Sequence, residues 1–255
     1  MMTGMEMGLL AGAAFIAGLV DAVVGGGGLI QIPALFTVLP QAMPATLFGT
    51  NKLAAIFGTA SAALRYSRRI QVPWRAALPA AFAAFIFSYL GAMAVSLLPR
   101  ALLRPLVLIL LILVTLYTFV RKDFGSIDDN RHHGSSDMFL AMLFGAVLGF
   151  YDGFFGPGTG SFLIFVFIRF FGLDFLRASS AAKIVNVATN GAALLYFGAH
   201  GQVLWTVAAL MAVFNIAGAV FGAYLALRHG SGFVRRVFLA LATALIAKFG
   251  YDTFT

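Results

Sequence analysis

Apolar runs long enough to cross a bilayer alternate along this chain with short polar stretches. Uninterrupted runs of about 20 residues, the length a spanning helix needs, cover roughly 46–65, 73–98, 102–120, 176–197, 203–227 and 235–251. Two further runs are broken. Residues 7–24 stop at Gly25-Gly26-Gly27-Gly28 and resume for only 29–39. Residues 138–155 stop at Gly156-Pro157-Gly158-Thr159-Gly160 and resume for 161–172. Interrupted apolar segments predict discontinuous or re-entrant helix pairs whose tips lie inside the membrane, where irregular backbone survives only within protein. The longest polar stretch, Arg121 to Asp137, is the linker between a first transmembrane repeat (1–120) and a second (138–255).

The two breaks sit at the same place in an internal repeat. An ungapped shift of 131 positions brings Gly18, Asp21, Gly25 and Gly27 onto Gly149, Asp152, Gly156 and Gly158. The same shift brings Lys52, Gln71, Trp74, Gly91 and Arg104 onto Lys183, Gln202, Trp205, Gly222 and Arg235. Chance would pair abundant Ala and Leu rather than scarce Asp, Lys and Trp. Internal duplication in an apolar chain is a mark of secondary transporters, which work where the halves meet.

Charge placement then decides how the halves are related. A hairpin that returns to its own side, followed by three spans, makes an odd number of crossings and inverts the second half. In that arrangement the cytoplasmic loops hold 12 Lys and Arg residues against 3 outside, namely Arg100, Arg104 and Lys248. Parallel halves of four spans each give 8 against 7, which is no bias. The positive-inside rule therefore predicts inverted repeats, a cytoplasmic linker, and both Met1 and Thr255 on the outer side.

Composition agrees with a multi-pass membrane protein. The chain is 61% hydrophobic and 10% charged over 255 residues, against about 45–50% and about 25% in soluble proteins. Its net charge of +8 lies in short loops that face anionic lipid, so no nucleic acid partner is expected. With no cysteine, thiol chemistry is excluded. Met1 to Glu6 lacks the basic region of a cleaved signal peptide.

The candidate chemistry lies in and beside the breaks. Half-helices starting near Gly28 and Gly160 would offer unpaired N–H groups and positive dipole ends to an anion. Glycine would let the backbone close on that ligand; the competing reading is close helix packing through small residues. The loop candidates are Gly25, Gly26, Gly27 and Gly28 in the first repeat. Their counterparts are Gly156, Pro157, Gly158, Thr159 and Gly160 in the second.

Lys52 and Lys183 each lie inside an apolar helix, where a cation marks a pathway or a partner, unless it snorkels to an interface. Ser179, Lys183, Asn186 and Asn190 share one helical face over roughly 16 Å. In the first repeat Lys52, with Asn51 beside it, and Thr59 keep only part of that stripe. Asp21 and Asp152 are the only acids inside apolar runs, each one turn before its glycine loop. They could pair with the lysines, carry a proton, or cap the broken helix. His132, His133, His200 and His229 fall in predicted loops without metal-ligand spacing, so neither a metal nor a cofactor is expected. Tyr151 and Tyr196 are further candidates to line the site.

The run from Gly18 through Asp21 and Gly28 to Pro33, with Gly49-Thr50-Asn51-Lys52 and Arg65-Tyr66, resembles the TauE/SafE sulfite-exporter family. So do the stretch from Gly149 through Asp152 to Gly160 and the later Lys183-Ile184-Val185-Asn186. The likeness spans nearly the whole chain. It implies a permease of the bacterial inner membrane that handles sulfite, sulfonates or related small organosulfur anions.

The expectation is an all-α membrane transporter of two inverted repeats, each a broken helix pair plus three spans. Its central anion site would be built from both glycine loops and both lysines. A proton, or Na⁺, would couple through Asp21 and Asp152, and the cycle would be alternating access. The rival readings are an uncoupled, channel-like facilitator and a non-transporting membrane subunit. An enzyme is disfavoured because the apolar segments hold no Ser–His, Cys–His, paired-Asp or metal constellation.

Overall fold

Glycine and proline punctuate the chain where the helices stop. The computed structural model describes residues 2–98 and 135–254, and every regular element in them is an α-helix. The first repeat contributes α1 (Gly4–Val24), α2 (Gly28–Val38), α3 (Pro44–Ser67) and α4 (Trp74–Ser96). The second contributes α5 (Ser135–Phe154), α6 (Thr159–Phe171), α7 (Phe175–Ala199) and α8 (Trp205–Phe254). Both expected breaks are present, leaving α2 and α6 as half-helices of 11 and 13 residues. The run expected at 102–120, most of the linker, and His132 and His133 lie outside the described residues.

Local chemistry explains the helix starts. Thr3 and Glu6 form a reciprocal capping box on α1, with Thr3 N–H 2.7 Å from Glu6 Oε2. Pro44 opens α3, where a missing N–H costs nothing. Asp174 accepts from the amides of Leu176 and Arg177 to start α7. Two boundaries differ from the sequence reading. Ser135 to Asp137, assigned to the linker, already belong to α5; Asp137 in its first turn suits the positive end of the helix dipole. The gap expected between 203–227 and 235–251 shrinks to Gly230 (φ 75°, ψ −175°). His229 is therefore helical rather than in a loop, its Nδ1 2.9 Å from the Leu225 carbonyl.

The packing comes in repeat-equivalent pairs. α1 lies along α8, and α4 lies along α5. Small residues bring each pair into backbone contact: Phe15 meets Gly218 and Leu19 meets Gly222, while Ala80, Ala84 and Ser88 meet Gly145, Gly149 and Gly153. Residue numbers rise together across both contacts, so each pair runs in one direction. α3 and α7, themselves repeat-equivalent, cross the centre the other way. Gly49 meets Phe197, Ile56 meets Gly191, and Tyr66 lies beneath Lys183, so numbers rise on one helix as they fall on the other.

Position explains composition. Gly4–Val24, Trp74–Ser96, Asp137–Phe154 and Trp205–Val234 are long and apolar enough to cross a membrane. Outward-facing Phe82, Phe139 and Val213 are exposed, as a lipid-facing surface requires. α3 and α7, at 24 and 25 residues, are equally long but carry the buried polar residues. The outer helices cover their polar faces, while Phe57 and Leu64 on α3 and Leu195 on α7 stay exposed.

Candidate functional site at the helix breaks

The two breaks meet each other. α1 ends at Gly25, which takes a left-handed conformation (φ 77°) that a side chain would strain. Gly25 packs against Gly160, and a side chain at either position would collide with the other's backbone. A Cβ at Gly28 would lie 3.1 Å from Pro157 Cα, so the second tip residue of each loop also touches the opposite loop. The contact is hydrogen-bonded as well. Ser161 N–H donates to the Gly25 carbonyl (3.1 Å), and Ser161 Oγ donates to the Val24 carbonyl (2.8 Å). The start of α6 thus caps the end of α1, joining orphan donors to orphan acceptors. Free donors were expected at this helix start, and the Ser161 amide is not free because the neighbouring helix end presents carbonyls with the same need.

Each lysine reaches across to the opposite repeat, but the two contacts differ. Lys52 Nζ lies 2.9 Å from Asp152 Oδ2, with side-chain exposures of 2% and 6%. It sits beside Gly156, whose left-handed φ of 99° turns the chain there. Lys183 Nζ donates instead to the backbone carbonyl of Asp21 at 3.1 Å, and lies 5.0 Å above the Tyr66 ring. Tyr66 is held in turn by donating to the Ala22 carbonyl at 3.0 Å. The Asp21 carboxylate accepts from Thr59 Oγ1 (3.1 Å), and its side chain packs beside Gly27. Asp152 is thus ion-paired in this structure, while Asp21 lies at the entry to α2 with Thr59 as its hydrogen-bond donor.

The other candidates gather around these pairs. Thr159 Oγ1 donates to the Gly156 carbonyl (2.8 Å), and Tyr151 Oη donates to the Pro157 carbonyl (2.6 Å), which stiffens the second loop. Gly26 accepts from Leu29 N–H within the first, and Gly158 (φ 81°) supplies the turn into α6. Ser179, Asn186 and Asn190 are buried along with Lys183, so the predicted stripe faces inward. The Asn186 amide nitrogen abuts Gly160. Asn51 Oδ1, Ser179 Oγ and Asn186 Oδ1 are buried without a hydrogen-bond partner among the described residues. Such groups are costly to leave unmet. Tyr196 does not join this centre; it stacks on His200 at 4.1 Å between ring centroids and packs edge-on against Tyr89.

Two amides escaped the sequence reading. Asn215 Nδ2 donates to the Ala14 carbonyl (3.1 Å) and to Gln31 Oε1 (3.0 Å), leaving Gln31 Nε2 buried and unpaired. The pair ties α2 to α1 and α8, three residues past the first glycine loop. The repeat-equivalent positions of Gln31 and Asn215 are Phe162 and Ala84, so the repeat diagonal hides the pair. An amide deep within an apolar run was the signal available.

Comparison with known proteins agrees with this picture. The family model for sulfite exporter TauE/SafE matches residues 10–249. The chain is 35% identical to a probable membrane transporter protein, ORF9, of a Sinorhizobium species over 236 residues, covering 92% of this chain and 89% of the relative. It is 35% identical to a probable membrane transporter protein of Haemophilus influenzae, covering 93% and 92% of the two chains. It is 33% identical to the probable membrane transporter protein YfcA of Escherichia coli K12, covering 99% and 93%. No solved structure matches the chain.

Proposed function

The chain belongs to the sulfite exporter TauE/SafE family, and we propose that it carries a small organosulfur anion, such as sulfite or a sulfonate, across the bacterial inner membrane. That it is a membrane transporter follows from the family and its relatives. The observation that carries the finer reading is the meeting of two buried lysines with two broken-helix tips. Each lysine contacts the aspartate turn of the other repeat. A buried cation beside unpaired polar atoms suits an oxyanion that arrives without its water.

The proposed site comprises both glycine tips with Asn51, Lys52, Lys183, Asn186 and Asn190. Alternating access would move one repeat against the other around it, with the halves inverted in the membrane; the antiparallel run of equivalent helices α3 and α7 supports that relation. Protons would couple through Asp152. Protonating it removes the carboxylate that competes for Lys52, so proton and anion bind together. Na⁺ held by the same carboxylate and nearby carbonyls is the alternative coupling ion.

A stability screen of the purified protein against sulfite, thiosulfate, sulfoacetate, taurine and carboxylates tests the substrate class. Stabilisation by sulfur oxyanions and not by carboxylates is expected; the reverse order would refute it. Asp152→Asn should still exchange substrate across a proteoliposome membrane but lose its acceleration by a pH gradient. Asp21→Asn should keep that acceleration, because asparagine can still accept from Thr59. Proton-driven transport surviving in Asp152→Asn would eliminate this coupling route. Labelling of single cysteines at the two termini should report the same side, opposite to the linker.

A further inference from the structure

Four arginines gather at the end of α3 and just before the Gly230 kink of α8, on the face of α3 turned away from the helix breaks. We propose that this place binds the headgroup of an anionic phospholipid. Arg65, Arg68, Arg69 and Arg228 line a cavity of about 720 Å³. None of the four has a carboxylate within ion-pair distance among the described residues. The nearest acid, Asp174, shares an adjoining cavity with Arg69, but its Oδ1 already accepts from Leu176 N–H, Arg177 N–H and Ser231 Oγ. Arg228 is aimed by its bond to Tyr224 Oη at 2.7 Å. Planar guanidinium forks in this number match a phosphate, which each can grip through two oxygens.

The rest of the lining argues for a lipid rather than a free anion. Apart from Ser61, the remaining lining is largely apolar: Leu64, Ile70, Val220, Tyr224 and Leu227. Leu64 and Tyr224 are 52% and 49% exposed. Exposed apolar residues continue the same faces away from the arginines, through Phe57 on α3 and Phe221 and Val213 on α8. A charged end that opens into an apolar channel between two lipid-facing helices is complementary to a headgroup with its acyl chain. Basic pockets between membrane helices select anionic lipids for this reason. The cavity is separate from the candidate anion site. Thr59 and Tyr66, which serve that site, are buried on another face of α3, while Ser61, Leu64, Arg65 and Arg68 face the cavity.

Native mass spectrometry of the detergent-purified protein tests this, titrating phosphatidylglycerol against phosphatidylcholine with the same chains. The wild type should retain phosphatidylglycerol at least ten-fold more strongly. Two variants should each lose that preference. The quadruple Arg65→Lys, Arg68→Lys, Arg69→Lys, Arg228→Lys keeps the charge that sets membrane orientation but removes the forks. Leu64→Glu leaves every arginine and adds a carboxylate at an exposed position. Either variant alone suffices if the other does not purify as a monodisperse species. Equal binding of the two lipids, or wild-type retention of phosphatidylglycerol by the variants, would overturn the proposal. So would displacement of the lipid by millimolar inorganic phosphate, which would mark the cavity as a free-anion site.

Discussion

Lys52 and Lys183 hold equivalent places in the two repeats, yet they have settled differently with the aspartates opposite them. Lys52 is neutralised by the Asp152 carboxylate. Lys183 lies within electrostatic range of the Asp21 carboxylate but forms no direct ion pair with it, bonding instead a backbone carbonyl and the face of Tyr66, while Asp21 accepts from Thr59. The residues around each pair account for the difference. Thr59 offers Asp21 a hydroxyl where the second repeat has Asn190, and Tyr66 supplies Lys183 with an aromatic face. A duplicated motif has thus yielded one closed charge pair and one cation without a direct counter-charge. On the proposed mechanism Lys183 would be the one open to an incoming anion, and Lys52 the one that must first be released.

The contrast should appear in stability. Lys52→Ala leaves the Asp152 carboxylate buried and alone, and should destabilise the protein by about 3–5 kcal/mol. The double variant with Asp152→Asn should recover much of that loss. Lys183→Ala removes a bond to a carbonyl, an aromatic contact and a charge near but not paired with Asp21, whose carboxylate keeps its bond from Thr59, so its cost should be smaller, about 1–3 kcal/mol. Equal melting shifts for the two single variants would erase the comparison. Thr59→Val tests why Asp21 is unavailable to Lys183. It should cost only about 1 kcal/mol. It should also weaken anion binding, as the freed carboxylate turns towards Lys183; unchanged affinity would remove Thr59 from the explanation.

Much of this arrangement is legible in the sequence because it follows from strong local signals. Four consecutive glycines stop a helix, Gly-Pro-Gly-Thr-Gly stops another, and a lysine in an apolar run is conspicuous. A lysine–aspartate pair is one of the roles the sequence leaves open, without saying that it would join the two repeats. Which aspartate pairs is not legible either, since that depends on Thr59 reaching Asp21 from another segment. The capping of α1 by Ser161 was equally hidden. Its chain separation from Val24 is large, and a serine after a glycine loop reads as an ordinary helix start. Gln31 and Asn215 went unnoticed because attention to the repeat favours residues that occur twice. Gly230 breaks its helix for a single residue, too briefly for hydropathy to place His229 on a helix.

The central claim is that the meeting tips and their lysines form the anion path. Flux of a labelled sulfur oxyanion, the one selected by the stability screen, into proteoliposomes tests it most directly. Wild type, Lys52→Ala and Lys183→Ala should be compared at matched reconstitution, after size-exclusion profiles confirm folding. Transport is expected in the wild type and loss to the protein-free background in both variants, because desolvated charge contacts of this kind are worth on the order of 2–5 kcal/mol to the ligand. Wild-type flux in both folded variants would contradict it and return the lysines to a structural role.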